Sequence, residues 1–349
     1  MEYTTLGTTG TRVSRLCFGT WRFGEQSGDG VETTREEAHE LLDCAADNGI
    51  NFIDTANRYG DPPGTSERFV GEWLAERDRD EFVVATKVGL PVGTRENEFG
   101  LSRRHIHNQI DKSLSRLGTD YVDVYYVHRL DSYSPIEETL SALAELVTAG
   151  TVHYLGASTM TAWQLATMDL TAELNGWTGF DVTQPPIDAT LNNWKRYEPF
   201  DLNRYLEVCA YRGLGVVPYS PLAGGFLTGK YERATPESDA VSAPADSRGD
   251  RTGSEFDERY VSESAWDVLE AIREIAREID ATPAQVALRW VMELDVPGVD
   301  SPVPIVGARS TDQLTENLGA IDLRLERHQL DRIDEARGES LTVERWPVT

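Results

Sequence analysis

Lysine is nearly missing from this 349-residue chain. Only Lys87, Lys112, Lys195 and Lys230 occur, so 29 of the 33 cationic residues are arginine. Positive charge as a whole is in deficit, because 59 Asp+Glu bring the formal net charge to −26. Such a surface repels polyanions, which excludes nucleic acid and anionic membrane as partners. Acidity of this degree with so little lysine predicts a halophilic protein, since concentrated salt screens self-repulsion. Cysteine is scarce as well. Cys17, Cys44 and Cys209 are odd in number, far apart and without a C-x-x-C spacing, so neither a disulfide framework nor a thiolate zinc site is expected. No apolar run reaches the ~18 residues of a membrane span. Met1-Glu2-Tyr3 lacks the basic and apolar regions of a secretion signal, so the cytoplasm is the expected compartment.

What is present is regular. Hydrophobic residues make up 40% of the chain, enough for a sizeable core, and no composition break marks a linker, so one domain over 1–349 is expected. Residues 3–14 read as a hairpin whose threonine-rich arms flank Gly7 and Gly10. Strand-like and helix-like segments then alternate. Apolar runs at 16–19, 51–54, 82–87, 121–128, 152–158, 180–184, 215–219 and 303–306 are separated by segments with helical spacing. Ser66 and Ser102 are expected N-caps, Gly118 a helix end, and Pro135 a first helical turn. Helices are further expected near 34–48, 161–172, 200–212, 262–279, 283–293 and 311–320. Strict alternation implies a parallel sheet, and eight units in line favour a closed (β/α)8 TIM barrel over a doubly wound sheet. The first strand runs into Gly19-Thr20-Trp21-Arg22-Phe23-Gly24, which is no dinucleotide fingerprint of the G-x-G-x-x-G kind. One long irregular stretch, 228–261, reads as a functional loop, with Arg248 and Arg251 placed to clamp a phosphate.

Three apolar runs each end in a titratable group: Asp54, Lys87 and His128. Tyr59 follows Asp54 by five positions. In a parallel barrel, strand carboxyl ends converge on one mouth. A lysine at an apolar strand end is costly unless a carboxylate partners it, and Asp54 on the neighbouring strand is the expected partner. Near that ammonium the Tyr59 phenol is expected to fall below its ordinary pKa of ~10. His39, His105 and His107 sit on helical segments as expected surface groups, and His153 lies at the wrong end of its strand for catalysis. An Asp–Lys pair, a phenol and an imidazole at one mouth can donate a proton to a carbonyl oxygen. Neither metal-ligand spacing nor a Ser-His-Asp elbow occurs, so no metal is expected.

The stretches D-T-A-N-R-Y (54–59), A-T-K (85–87) and V-H (127–128) closely resemble the tetrad motifs of the aldo-keto reductase superfamily. The likeness continues through L-G-T-T-G-T-R-V-S at the hairpin, G-A-S-T (156–159), Y-S-P-L (219–222) and G-A-R-S-T-D-Q-L-T-E-N (307–317). The resemblance implies an NADPH-dependent reductase (NAD being possible) acting on a small aldehyde or ketone. In it Tyr59 is the general acid, Lys87 held by Asp54 tunes the phenol, and His128 orients the carbonyl. By the same likeness Ser158, Thr159 and Gln184 hold the nicotinamide carboxamide and Tyr219 stacks on its ring. Ser220 and Leu222 meet the pyrophosphate, while Arg309, Ser310, Gln313, Glu316 and Asn317 meet the adenosine end. Gly19, Thr20, Trp21, Asp54 and Gly307 complete the implied cofactor contacts. Two positions depart from the family: Thr159 stands where asparagine is usual, and Pro185-Pro186 follows Gln184. Two rival readings are a Schiff-base aldolase using Lys87 and a regulatory protein similar to potassium-channel β-subunits. The chain has no long N-terminal extension to act as an effector arm, which counts against the second.

Overall fold

A computed structural model of the protein describes residues 1–24, 33–191, 201–235, 240–245 and 247–338. Parts of the 228–261 stretch and the first residue of the helix expected at 200–212 lie outside the described residues. The chain opens with the expected antiparallel hairpin, β1 (Tyr3–Thr5) against β2 (Arg12–Ser14). Leu6 and Val13 of this hairpin pack with Phe52, Val83, Val124 and Val182, so it plugs the floor of the sheet that follows. Gly7 has φ 60°, and a Cβ there would lie 2.3 Å from the Gly215 nitrogen. Only glycine lets the plug seat this closely.

Eight parallel strands make up that sheet: β3 (Cys17–Gly19), β4 (Phe52–Asp54), β5 (Val83–Val88), β6 (Val122–Val127), β7 (Val152–Ser158), β8 (Val182–Gln184), β9 (Gly215–Val216) and β12 (Ile305–Val306). A small hairpin outside it, β10 (Glu232–Arg233) with β11 (Val241–Ser242), accounts for the gap in numbering. The strand order β12-β3-β4-β5-β6-β7-β8-β9 is sequential except for its first member. Two hydrogen bonds join the ends, Val303 N–H to Val216 C=O at 2.9 Å and Ile305 N–H to Pro218 C=O at 2.8 Å. The sheet is therefore the expected barrel. Its seam is thin because Pro218 has no N–H to return a bond across it.

Helices clothe the outside: α1 (Arg35–Asp47), α2 (Thr65–Leu74), α3 (Arg103–Leu117), α4 (Ile136–Thr148), α5 (Ala162–Asn175) and α6 (Leu202–Arg212). After β9 come α7 (Arg248–Thr252), α8 (Ser254–Tyr260), α9 (Glu263–Glu278) and α10 (Pro283–Met292), then α11 (Thr311–Leu318) and α12 (Arg327–Arg337). Ser102 caps α3 and Gly118 ends it in the left-handed conformation, both as expected. Ser66 is not a cap. It lies inside α2 behind Gly64, its hydroxyl taken by Thr20 and Thr55. His105 is not a surface group either, because it falls on the inner stripe of α3 with Ile106, Gln109 and Ile110 and is 1% exposed. The described residues of the 228–261 stretch are more regular than its composition suggests, since they carry β10, β11, α7 and α8.

Strand periodicity decides which residues reach the barrel axis. Along β5, Val83 and Ala85 belong to the interior cluster, while Val84 and Val88 pack outward against helices. Lys87 thus shares the inward parity. On β4, Phe52 points in and Ile53 out, so Asp54 points in. On β6, Val124 and Tyr126 point in and Val127 out, so His128 is next on the inner side. Gly156 on β7 makes room for Tyr126, whose ring would lie 2.2 Å from a Cβ at that position.

Candidate active site

Inward-facing residues at the carboxyl ends of the strands converge as the sequence pattern implies. Lys87 is 0% exposed and Asp54 2%. The Lys87 ammonium donates to Asp54 Oδ1 at 2.5 Å, to the Thr55 carbonyl at 2.8 Å and to Tyr59 Oη at 3.2 Å. All three of its protons are therefore committed. The second Asp54 oxygen accepts from Gln184 Nε2 at 2.8 Å. A carboxylate only accepts, so this contact fixes which way the Gln184 amide is turned.

Burial dominates the electrostatics here. It works to lower the Lys87 pKa, but Asp54 and then Tyr59 more than offset it and leave the ammonium above its ordinary value. Burial likewise lifts Asp54 above the usual carboxylate range against the pull of Lys87 and Gln184. Tyr59 corrects the sequence expectation. Burial raises its phenol above the ordinary value, and the Lys87 charge only moderates that rise. The imidazole of His128 stands edge-on to the Tyr59 ring, with centroids 5.7 Å apart at 79°. Burial, then Lys87, then Arg58 hold its pKa well below the ordinary value, so the ring is neutral. Its buried Nδ1 has no hydrogen-bond partner among the described residues.

Tyr59 and His128 form the inner end of a cavity of about 820 Å³, within the ~300–1,000 Å³ usual for small-molecule sites. Asp54, Ser158, Thr159 and Gln184 line its base, with Tyr219, Ser220 and Leu222 beyond β9. Gly19 and Trp21 line the β3 side; Gly307, Arg309, Gln313, Glu316 and Asn317 line the wall that follows β12. Two expected contacts, Thr20 and Ser310, are not among the lining residues. Thr20 is buried, its hydroxyl donating to the Asp54 carbonyl and paired with Ser66. Ser310 caps α11 by accepting from the Gln313 amide. Thr159 and Ser220 hold φ of 51° and 55°, backbone that non-glycine residues seldom adopt outside functional sites. Ser158 donates to the Gln184 carbonyl at 3.0 Å, and the Thr159 hydroxyl lies 3.4 Å from Tyr219 Oη.

Arg248 and Arg251 line the same cavity, which places the 228–261 stretch on its rim. Sequence reasoning missed the Gln184–Asp54 bond and five further lining cations: Arg22, Arg58, Arg129, Lys230 and Arg259. Lys230 carried a readable signal. In a chain with four lysines each one is notable, and burial followed by the charge of Arg309 lowers this one's pKa. Among the described residues no cluster of three His, Cys, Asp or Glu side chains is arranged to hold a metal ion. No helix among them is long and apolar enough to cross a membrane.

The family model described as Aldo/keto reductase family matches residues 15–337. A relative named as an uncharacterized oxidoreductase, YrpG of Bacillus subtilis (strain 168), is 35% identical over 343 residues, covering 96% of this chain and 95% of its own. The L-glyceraldehyde 3-phosphate reductase of Escherichia coli (strain K12) is 32% identical over 96% of this chain and 92% of its own. A probable voltage-gated potassium channel subunit beta of Arabidopsis thaliana is 34% identical over 93% of this chain and 92% of its own.

Proposed function

This chain belongs to the aldo/keto reductase family, and from that premise we propose that it reversibly reduces an aldehyde or ketone with NADPH, Tyr59 acting as the acid. The observation that carries the reading is the bonded series Gln184–Asp54–Lys87–Tyr59, with a neutral His128 beside it. A carbonyl oxygen in front of Tyr59 Oη would take the phenol proton as negative charge develops on it. Lys87 stabilises the phenolate left behind, and Asp54 keeps the lysine charged. His128 can donate a second hydrogen bond and fix the carbonyl's orientation. A reduced nicotinamide supplies the hydride when bound. Ser158, Gln184 and Tyr219 would hold the ring end, Ser220 and Leu222 the diphosphate, and Arg309, Gln313, Glu316 and Asn317 the adenosine. The cavity's chemistry fits such a group: an aromatic face at Tyr219, an amide at Gln184 and paired cations at the far wall. The whole chain is read as one catalytic unit, with 228–261 on the cofactor side. Purified protein should consume NADPH in the presence of 4-nitrobenzaldehyde. No loss of NADPH absorbance with any activated carbonyl would sink the reading.

The Schiff-base alternative fares badly. A nucleophilic lysine needs a free lone pair and access, whereas Lys87 is enclosed with all three protons engaged. Borohydride should trap nothing on it. A regulatory role like that in the β-subunit relative's name rests on kinship alone.

NADPH is the expected cofactor over NADH because Arg309 and Lys230 line the same cavity, where burial and then the charge of Arg309 lower the Lys230 pKa. Two cations coupled in this way are best relieved by a polyanion such as a 2′-phosphate. Arg309→Ala removes a charge-assisted contact worth ~1.5–3 kcal/mol, so the KM for NADPH should rise roughly ten- to a hundredfold. The KM for NADH should hardly move. Parallel rises would mean that Arg309 stacks on adenine instead.

The charge of −26 leads to a separate proposal, adaptation to salt. Going from ~0.1 M to ~1 M salt shortens the Debye length from ~10 Å to ~3 Å and weakens repulsion among surface acids. The melting temperature should therefore climb steeply over that range. A flat or falling melting temperature up to about 2 M would refute halophily and leave the reductase reading intact.

A further inference from the structure

Many of the chain's cations meet at one place. Among the described residues eight Lys and Arg side chains line the cavity, against two lining acids, Asp54 and Glu316, and Asp54 is already paired with Lys87. In a protein of net charge −26 this inversion of sign is local to the site. Lys230 and Arg309 belong to the wall assigned to the cofactor's phosphate end, and Arg248, which stacks over Trp21 with its Cζ 4.9 Å from the ring centroid, belongs to the rim.

Arg58 and Arg129 are different. Each is the chain neighbour of a catalytic group, Arg58 preceding Tyr59 and Arg129 following His128. Both are exposed and both line the cavity, each next in the chain to one of the two side chains in front of which the carbonyl would sit. Arg58 makes no hydrogen bond or ion pair among the described residues, although the chain offers 59 acids. It nevertheless adds to the positive field on His128, beyond that of Lys87. Cations gathered round a buried ammonium raise one another's cost unless an anion joins them. Nothing in the proton-transfer series calls for that charge.

We propose that the inner end of the cavity seats an anionic group, a phosphate or a carboxylate, carried by the carbonyl substrate, with Arg58 as its chief contact and Arg129 beside it. The idea rests on the reductase reading for its carbonyl and on the arginines for its charge. Arginine suits either oxyanion, since its planar fork donates two parallel hydrogen bonds to both. Trp21 and Leu90 add apolar surface to the same cavity.

The test compares wild type with Arg58→Gln at constant ionic strength, using pairs of activated aldehydes. One pair is 4-carboxybenzaldehyde and 4-nitrobenzaldehyde; the other is a phosphorylated three-carbon aldehyde and its unphosphorylated parent. In wild type the kcat/KM ratio of charged to neutral substrate should exceed one for at least one pair, and which pair shows it identifies the oxyanion. Arg58→Gln should lower that ratio at least tenfold, and Arg58→Lys should restore part of it. A ratio unchanged by Arg58→Gln overturns the proposal. If no carbonyl turns over at all, the reductase reading fails while the seat remains testable. Inorganic phosphate or benzoate should then raise the melting temperature of wild type more than that of Arg58→Gln, and an equal rise in both overturns the seat.

Discussion

Tyr59→Phe should cut kcat/KM for any carbonyl substrate by a hundredfold or more, with the dissociation constant for NADPH nearly unchanged. The phenol oxygen lies 3.2 Å from the Lys87 ammonium, and its ring meets His128 edge-on in the cavity lining. Removing it deletes the proton without opening a hole, because phenylalanine keeps the ring. Positioned acids contribute ~10²–10⁴ to such rates, and the loss should appear in kcat as well as kcat/KM. The pH profile of wild type should complement this. Tyr59 and Lys87 sit above their ordinary values and His128 well below its own. Raised pKa values keep the phenol and ammonium protonated as pH climbs, and the lowered one keeps the imidazole neutral as pH falls. The rate of reduction should accordingly be flat from about pH 6.5 to 9. Wild-type turnover in the phenylalanine variant would remove Tyr59 from the chemistry.

Lys87→Met should be the most damaging change to stability. It leaves Asp54 as an enclosed carboxylate whose remaining side-chain donor is Gln184. Breaking one member of a buried pair costs ~3–5 kcal/mol, chiefly through the charge left behind. The single change Asp54→Asn leaves a buried ammonium bonded to the Thr55 carbonyl and Tyr59, and should also be costly. The double variant Asp54→Asn/Lys87→Met removes both charges, so its loss should fall short of the two single losses summed by ~1 kcal/mol or more. Denaturant unfolding of the four proteins measures that difference. Strict additivity would mean that the contact contributes nothing as a pair. Turnover should be lost in all three variants, because each changes the field on Tyr59.

The barrel and its tetrad were legible in the sequence for one reason: strand parity is strict. Once 51–54, 82–87 and 121–128 are read as strands, Asp54, Lys87 and His128 must share the inner side. What escaped depended on neighbours brought in from elsewhere in the chain. Ser66 has the composition of a cap, yet its hydroxyl is taken by Thr20 and Thr55 from two other segments. His105 looked like a surface residue until the inner stripe of α3 was placed against the barrel. For Tyr59 the partner was legible and the sign of the shift was not, since the ammonium is visible in the sequence and the degree of enclosure is not. Arg58 lay in plain view inside the tetrad motif, but its significance depends on a shared cavity and on the lack of a partner. The order within 228–261 came from tertiary packing, with Tyr231, Phe256 and Tyr260 buried among one another.

The thin seam between β9 and β12 gives the bound state a mechanical meaning. Seven of the eight joints in the barrel are continuous ladders, whereas this one rests on two hydrogen bonds running in one direction. A ring of staves held by one weak joint opens there first. Yet both banks of that joint line the cavity, Tyr219, Ser220 and Leu222 on one side, Ile305 to Arg309 on the other. A ligand lying along the cavity therefore acts as a hoop across the split. Filling the cavity with NADP should slow hydrogen exchange at the Val303 and Ile305 amides more than at the Asp54 or Ala85 amides, which lie in the body of the wall. Equal slowing everywhere would mean that the wall stiffens as one piece. The binding site then doubles as the last fastening of the fold.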